Sequence, residues 1–327
     1  MAFIFSLIAT AIIKKIAIKY KIYDIPKTAI KTHKIPTPYL GGIAIAIAFI
    51  LPLIIIRFTT NFETGVLHNL RGILLAGGIL LIVGLIDDLK DLNFKTKFFW
   101  QFVAATILIM FDMRIKFIHP EYLAIILSYI WIIGIINAVN LIDIMDGLSS
   151  GIAIIATLTF FAIHSPFEAS YVNFAAITLA GACLGFLKHN FHPAKIFMGD
   201  AGSMFIGLIL SALSLGANYS VNNQIAVFTP ILILIVPIYD TFYIMIKRMQ
   251  KGKSIFLGSK DHVAVRLKIN GWSTRKIVLT LYFTAFIASV LAYTITQSNL
   301  FLALVLYIVI LIIALVLGKN LSKIEVD

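Results

Sequence analysis

The stretch LFLALVLYIVILIIALVLG, residues 300–318, carries no charged side chain and a single polar group, the hydroxyl of Tyr307. At about 1.5 Å per helical residue it reaches about 28 Å, close to the hydrocarbon thickness of a bilayer. Its backbone groups find no water at that depth, so they must bond within the segment, which requires an α-helix. Asn299 precedes the run and Lys319 follows it, so the polar ends reach the interfaces.

Runs of this kind recur outward from it along the whole chain. About eleven are predicted, centred near Ile8, Phe49, Ile79, Ala105, Ile132, Ala156, Leu179, Leu208, Leu234, Phe286 and Tyr307, separated by short polar breaks. The first is a retained span: Lys14 and Lys15 follow its apolar half, and no small-residue cleavage site ends it. The expected fold class is therefore all-α, a polytopic integral membrane protein of about 10–11 transmembrane helices with cytoplasmic active-site loops. No separate soluble domain or repeat interrupts it, so residues 1–327 form a single transmembrane domain.

Composition supports this. In 327 residues, 60% are hydrophobic and only 13% charged, outside the range of soluble globular chains. The net charge of +12 does not signal nucleic acid, because the cations sit between apolar spans instead of in one stripe; anionic lipid and phosphate substrates fit better. Cys183, the single cysteine, lies in an apolar run and supports neither an intrachain disulfide nor a thiolate metal cluster.

Lysine and arginine fix the orientation. They gather in alternate connections: Lys21, Lys27, Lys31 and Lys34; Lys90, Lys95 and Lys97; Lys188 and Lys195; then the loop from Lys247 to Lys276. These connections are expected in the cytoplasm, with the N-terminus outside and residues 319–327 inside. Arg57, Arg71, Arg114 and Lys116 are the main exceptions.

Only 15 residues are Asp or Glu, so their placement carries information. Asp87, Asp88 and Asp91 close the third span, at spacings that share a helical face. Like charges there repel, and a divalent cation with hard oxygen ligands would relieve them; a solvated helix end beside Lys90 is the bland alternative. Asn137, Asn140, Asp143 and Asp146 recur every third residue before Gly147. Three helical steps drift by about 60° per repeat, so the series cannot follow one line unless the helix tightens or ends. In the third cluster a connection runs from Asn190 through Phe197 and Gly199-Asp200 into the eighth span. Helix-terminal amides suit an anion there, Asp200 offers a metal ligand, and Phe197 a stacking face. All three clusters fall on the side already assigned from lysine and arginine.

These residues resemble the polyprenyl-phosphate N-acetylhexosamine-1-phosphate transferases, which include the bacterial lipid-carrier GlcNAc-phosphate transferases and the phospho-MurNAc-pentapeptide translocase. The likeness covers nearly the whole chain: His33 to Pro38 with Gly41-Gly42, Asp87-Asp88, Asn137 to Leu148, Gly185 to Asn190, and Phe197 to Ser203. It implies catalytic roles for Asp87, Asp88 and Asp143 and a metal ligand in Asp200. Substrate contacts are implied for Lys34, Lys97, Asn140, Asp146, Asn190 and Phe197, and for His262 and Arg266 of the cytoplasmic histidine motif. Mg²⁺, or Mn²⁺ in its place, is the implied cofactor. Polyprenyl phosphate and a UDP-sugar are the implied partners, in the cytoplasmic (inner) membrane, and a homodimer is a compatible assembly. The chain departs from the pattern at Tyr39, where arginine is usual, and at Ala264 and Val265, where histidines are usual; a GlcNAc-type donor is therefore expected over the pentapeptide donor.

The implied reaction is transfer of a sugar 1-phosphate from the UDP-sugar to the lipid phosphate, releasing UMP. A cation-coupled transporter is the alternative from another class, but it would place its ionisable groups near the bilayer midplane and show paired interrupted helices.

Overall fold

The computed structural model describes residues 1–24, 36–59, 64–165, 171–216, 218–254, 259–324 and 326. It is an assembly of helices with one minimal ribbon, in which β1 (Tyr23–Asp24) pairs antiparallel with β2 (Thr37–Pro38). The helices are α1 (Ala2–Lys19), α2 (Gly41–Thr59), α3 (Thr64–Lys90), α4 (Phe94–Met110), α5 (Glu121–Leu141), α6 (Leu148–His164) and α7 (Tyr171–Asn190). There follow α8 (Gly199–Gly216), α9 (Thr229–Ile233), α10 (Ile235–Gln250), α11 (Val263–Ile269), α12 (Thr274–Gln297) and α13 (Leu300–Leu321).

Ten of the eleven expected centres fall inside helices. The eleventh, Leu234, sits at a 76° bend between α9 and α10. Pro237 explains the break, since it has no N–H to give the carbonyl four residues earlier. Among the described residues, seven helices are long and apolar enough to cross a membrane, or eight if the bent pair counts as one. The difference from eleven lies in α1, which carries Lys14, Lys15 and Lys19, and in α4 and α6, each of 17 residues. Nor does α1 run the length of its neighbour. Ser6 Oγ donates to the Ala182 carbonyl at 2.6 Å, and a Cβ on Gly181 would lie 3.0 Å from Ala2, so α1 stands beside only the second half of α7.

Burial sorts the helices by solvent. In α13, 6% of the apolar stretch is buried, and most of its leucines and isoleucines are exposed, as lipid contact requires, while Ala303, Leu306, Tyr307 and Ile310 turn to the core. In α8 the figure is 78%, and this helix is the hub, packed on α2, α3 and α5. Small residues allow its close approach to α2: a Cβ on Gly202 would lie 2.7 Å from the Gly42 Cα. The Gly41 and Gly42 amides donate to the carbonyls of Phe197 and Met198 at 2.9 and 2.8 Å, which fixes the loop entering α8.

The ends of α3, α5 and α7 meet the starts of α4, α6 and α8 at one end of the bundle, where Asp87 pairs with Lys97, Asn190 with Gly147 and Asp88 with Asp200. The opposite end is closed by contacts such as Asn69 Nδ2 to the Phe111 carbonyl, 3.0 Å, and Tyr171 hydroxyl to the Ala212 carbonyl, 3.0 Å. Arg57, Arg71, Arg114 and Lys116, the exceptions to the lysine and arginine pattern, lie toward that opposite end.

Candidate active site

A cleft of about 630 Å³ opens at the first of these ends, lined by Tyr23, Asp24, Tyr39, Asp87, Asp88, Asp91, Lys97, Asn140, Asp143, Asp146, Asn190, Phe197 and Asp200 among others. Residues from the three acidic clusters, far apart in sequence, thus share one cavity.

Lys97, in the first turn of α4, is placed by the Asn93 side chain, which accepts the Thr96 amide at 2.9 Å and starts the helix. Its ammonium bridges Asp87 Oδ2 at 2.8 Å and Asp200 Oδ2 at 3.1 Å. Asp87 Oδ1 accepts the Leu92 amide at 2.7 Å, which ties the α3–α4 corner. Asp200 Oδ1 receives Asn140 Nδ2 at 3.0 Å, and the same amide reaches Ser203 Oγ at 2.9 Å.

Asp88 differs from its neighbour. Its two oxygens accept the backbone amides of Asp200 (2.7 Å) and Ala201 (3.2 Å), so the anion expected at the start of α8 is the protein's own carboxylate. Gly199, at φ +75°, makes the turn, and a Cβ there would lie 2.5 Å from Asp88 Oδ2. The Tyr39 hydroxyl donates to the Asp88 carbonyl, so this departure from the usual arginine serves to hold the end of α3. Burial, then Asp88, Asp24 and Asp91, raise the Tyr39 pKa, which keeps it a donor.

The polar series after Ile136 separates as its drift requires. Asn137 turns to Gln101 (Nδ2 to Oε1, 2.7 Å) and leaves the cleft; Asn140 faces Asp200. The helix stops at Leu141, and Gly147, at φ +78°, begins α6. Asp146 accepts the Ala194 amide at 3.0 Å and pairs with His192 Nδ1 at 2.7 Å. Asp143 has no hydrogen bond to its carboxylate among the described residues; burial first, then Asp200, Asp88 and Asp146, push its pKa up to about 8. Asp91, expected on the face of Asp87 and Asp88, lies past the end of α3 at φ +48° and only reaches the rim.

Other expected contacts are placed differently. Asn190 lines the cleft, but its amide is engaged by the backbone: Oδ1 accepts the Gly147 amide and Nδ2 donates to the Ile196 carbonyl, both at 3.0 Å. Phe197 also lines the cleft. His262 and Arg266 do not line it. His262 Nδ1 pairs with Asp240 Oδ2 at 2.7 Å, and Asp240 Oδ1 takes the Val263 amide at 2.7 Å. Arg266, 2% exposed, spends its guanidinium on Asp261 at 2.6 Å and on the Leu321 and Ile324 carbonyls. Ala264 is buried with Ile142, Met145 and Ile277, so α11 supports the Asp143–Asp146 turn from beneath. Asp240 was missed in the sequence, although a lone acid in an apolar run demands a partner. Lys34 lies outside the described residues.

Four carboxylates, Asp87, Asp88, Asp143 and Asp200, face one ammonium. Hard oxygen donors in excess of charge, with Asp143 unpartnered, fit a divalent cation that is completed by phosphate oxygens and water; among the described residues no group of three acidic, histidine or cysteine side chains forms a closed cage.

Residues 70–218 match the model of glycosyl transferase family 4. The chain is 33% identical to the probable undecaprenyl-phosphate N-acetylglucosaminyl 1-phosphate transferase of Bacillus subtilis (strain 168), over 98% of this chain and 91% of that protein. It is 32% identical to the decaprenyl-phosphate N-acetylglucosaminephosphotransferase of Mycolicibacterium smegmatis, over 86% and 77% of the two. It is also 32% identical to a phospho-N-acetylmuramoyl-pentapeptide-transferase of Prochlorococcus marinus (strain MIT 9312), over 75% and 74%.

Proposed function

Because the chain belongs to glycosyl transferase family 4, we propose that residues 1–327 act as one membrane transferase domain, moving an N-acetylhexosamine 1-phosphate from a UDP-sugar to a polyprenyl phosphate. The observation that carries this reading is the convergence of Asp87, Asp88, Asp143 and Asp200 around Lys97, at the end of the bundle where lipid-facing helices meet water.

An oxygen of the lipid phosphate attacks the β-phosphorus of the donor, and the anhydride bond breaks to release UMP. Asp200 would hold Mg²⁺ or Mn²⁺. The metal supplies charge stabilisation at the transferring and leaving phosphate oxygens. Lys97 presents its ammonium to the phosphates between two carboxylates that keep it protonated and oriented. Asp88 fixes the start of α8 so that Asp200 is aimed into the cleft, while Asp87 holds Lys97 on the acceptor side. Asp143, with no competing partner, takes any proton left on the lipid phosphate. Direct displacement needs no covalent carrier, since the acceptor is already an anion. Phe197 offers its ring to the base, and Asp146 lines the donor end with His192. The engagement of His262 and Arg266 within the protein favours a GlcNAc-type donor, chosen in the main cleft, over selection by the α11 segment.

The test is an incubation of purified protein with undecaprenyl phosphate, Mg²⁺ and a panel of UDP-sugars, following UMP. Release with UDP-GlcNAc or a related hexosamine donor is expected; release with the UDP-MurNAc-pentapeptide alone would move the donor assignment to the pentapeptide enzymes.

Gly199→Ala should lower turnover at least about tenfold by displacing the Asp88 carboxylate, with a stability loss of about 1–2 kcal/mol for the left-handed backbone. Turnover and the melting temperature in detergent separate the two effects; unchanged turnover would detach the pose of Asp88 from the chemistry.

The cleft faces the cytoplasm in this account. Single cysteines at Lys95, Lys195, Lys253 and Asn270, in a background without Cys183, occupy exposed positions near the cleft end. They should be labelled by an impermeant maleimide only from the cytoplasmic side, and labelling of any of them from outside would reverse the orientation.

A further inference from the structure

The start of α12 carries two exposed cations, Arg275 and Lys276, at the end of the bundle that holds the cleft. Neither has an acidic partner within ion-pair reach among the described residues. Aromatic rings hold them instead: the Lys276 ammonium lies 4.1 Å from the centre of the Trp272 ring, and the Arg275 guanidinium 6.0 Å from that of Phe191. A shallow, open depression on this surface is lined by Ser273, Arg275, Lys276, Leu279, Thr280 and Phe283. Below the cations the same face is apolar and open, with Leu279 48% and Phe283 65% exposed, and it continues through Phe286 and Val290.

The helix that bears this face is firmly seated. Ile277, Val278 and Ala285 are buried on its other side, and the Tyr282 hydroxyl donates to the Gly147 carbonyl. The two cations are thus presented by a fixed helix and not by a loose tail. A ligand suited to this surface must have an anionic oxygen group for Arg275 and Lys276, hydrogen-bond acceptors for the Ser273 and Thr280 hydroxyls, and a hydrocarbon chain for Leu279 and Phe283. Tryptophan at the water boundary of a lipid-facing helix places that oxygen group at headgroup depth.

We infer that the outer face of α12 is a binding site for an anionic phospholipid, with its phosphate held by Arg275 and Lys276 and an acyl chain along Leu279 and Phe283. The site is separate from the cleft: none of its lining residues is shared with the acidic cavity.

The test is native mass spectrometry of the full chain released from bilayers of phosphatidylcholine with a minor share of phosphatidylglycerol. The wild type should retain phosphatidylglycerol in preference to phosphatidylcholine. Arg275→Ala with Lys276→Ala should lower that retention at least about fivefold, the size expected for losing even one Lys or Arg contact at an anionic membrane surface. The exchanged pair Arg275→Lys with Lys276→Arg should keep it. Lys319→Ala with Lys323→Ala, which removes two exposed cations elsewhere at the same end, should leave it unchanged. Equal retention by the alanine pair, an equal loss in the Lys319 and Lys323 control, or no preference in the wild type would each overturn the proposal. A melting temperature near that of wild type certifies the variants, whose altered side chains are all exposed.

Discussion

Asp200→Asn is expected to cut turnover at least about a hundredfold, the size of a lost metal ligand or general base, while the detergent-extracted protein keeps its melting temperature to within a few degrees. Asp200 accepts from both Lys97 and Asn140. An amide at this position keeps one acceptor oxygen but loses the charge, and its NH₂ group faces a cation or another donor. The oxygen set for a divalent ion then loses its central member. Asp88→Asn should cost a similar factor by a different route, because the carboxylate that caps α8 becomes a group that can accept only one of the two amides well. Steady-state UMP release with saturating donor, beside a thermal melt, distinguishes loss of chemistry from loss of fold. Near-normal turnover in either variant would remove that residue from the site.

Removal of divalent metal should abolish activity entirely, and Mg²⁺ or Mn²⁺ should restore it. The physical reason is charge. The cleft sets Asp87, Asp88, Asp143 and Asp200 against the single ammonium of Lys97, and both proposed substrates bring further negative phosphates. Each like-charge pair at about 4 Å costs about 4 kcal/mol at an effective dielectric near 20, more than stacking on Phe197 can offset. Turnover after EDTA and after re-addition of metal, in buffer verified free of divalent ions, measures this. Full activity in the metal-free sample would refute the arrangement.

Much of the fold could be read from hydropathy, because a bilayer imposes one rule on every span: apolar side chains outside and a self-satisfied backbone. That rule places the centres of α2 through α8 and of α12 and α13. It does not separate a crossing from a bend, so Leu234 reads as mid-span although Pro230 and Pro237 flank it. Nor does it show that α1 stands beside only half of α7; the early lysines at 14 and 15 were the available hint.

For the site, the few acids of the chain fall in clusters that share one cleft, and the alternation of lysine-rich connections placed those clusters at the same end. Pairings across more than a hundred residues were not legible. Asp88 capping α8 depends on how α3 and α8 pack, and a run of adjacent aspartates looks the same whether it binds metal or backbone. His262 and Arg266 show the opposite case. The resemblance offers them to a ligand, yet His262 pairs with Asp240, and Arg266 with Asp261 and the Leu321 carbonyl, away from the cleft. A buried partner in a distant helix is invisible to local pattern.

In the proposed reaction phosphorus moves with the sugar. This is tested most directly with UDP-GlcNAc radioactive at the β-phosphorus, supplied with undecaprenyl phosphate, Mg²⁺ and purified protein. The label is expected to pass into the lipid fraction in step with unlabelled UMP. Label left in UDP while the sugar alone reaches the lipid, or no label transferred from any UDP-hexosamine, would contradict it.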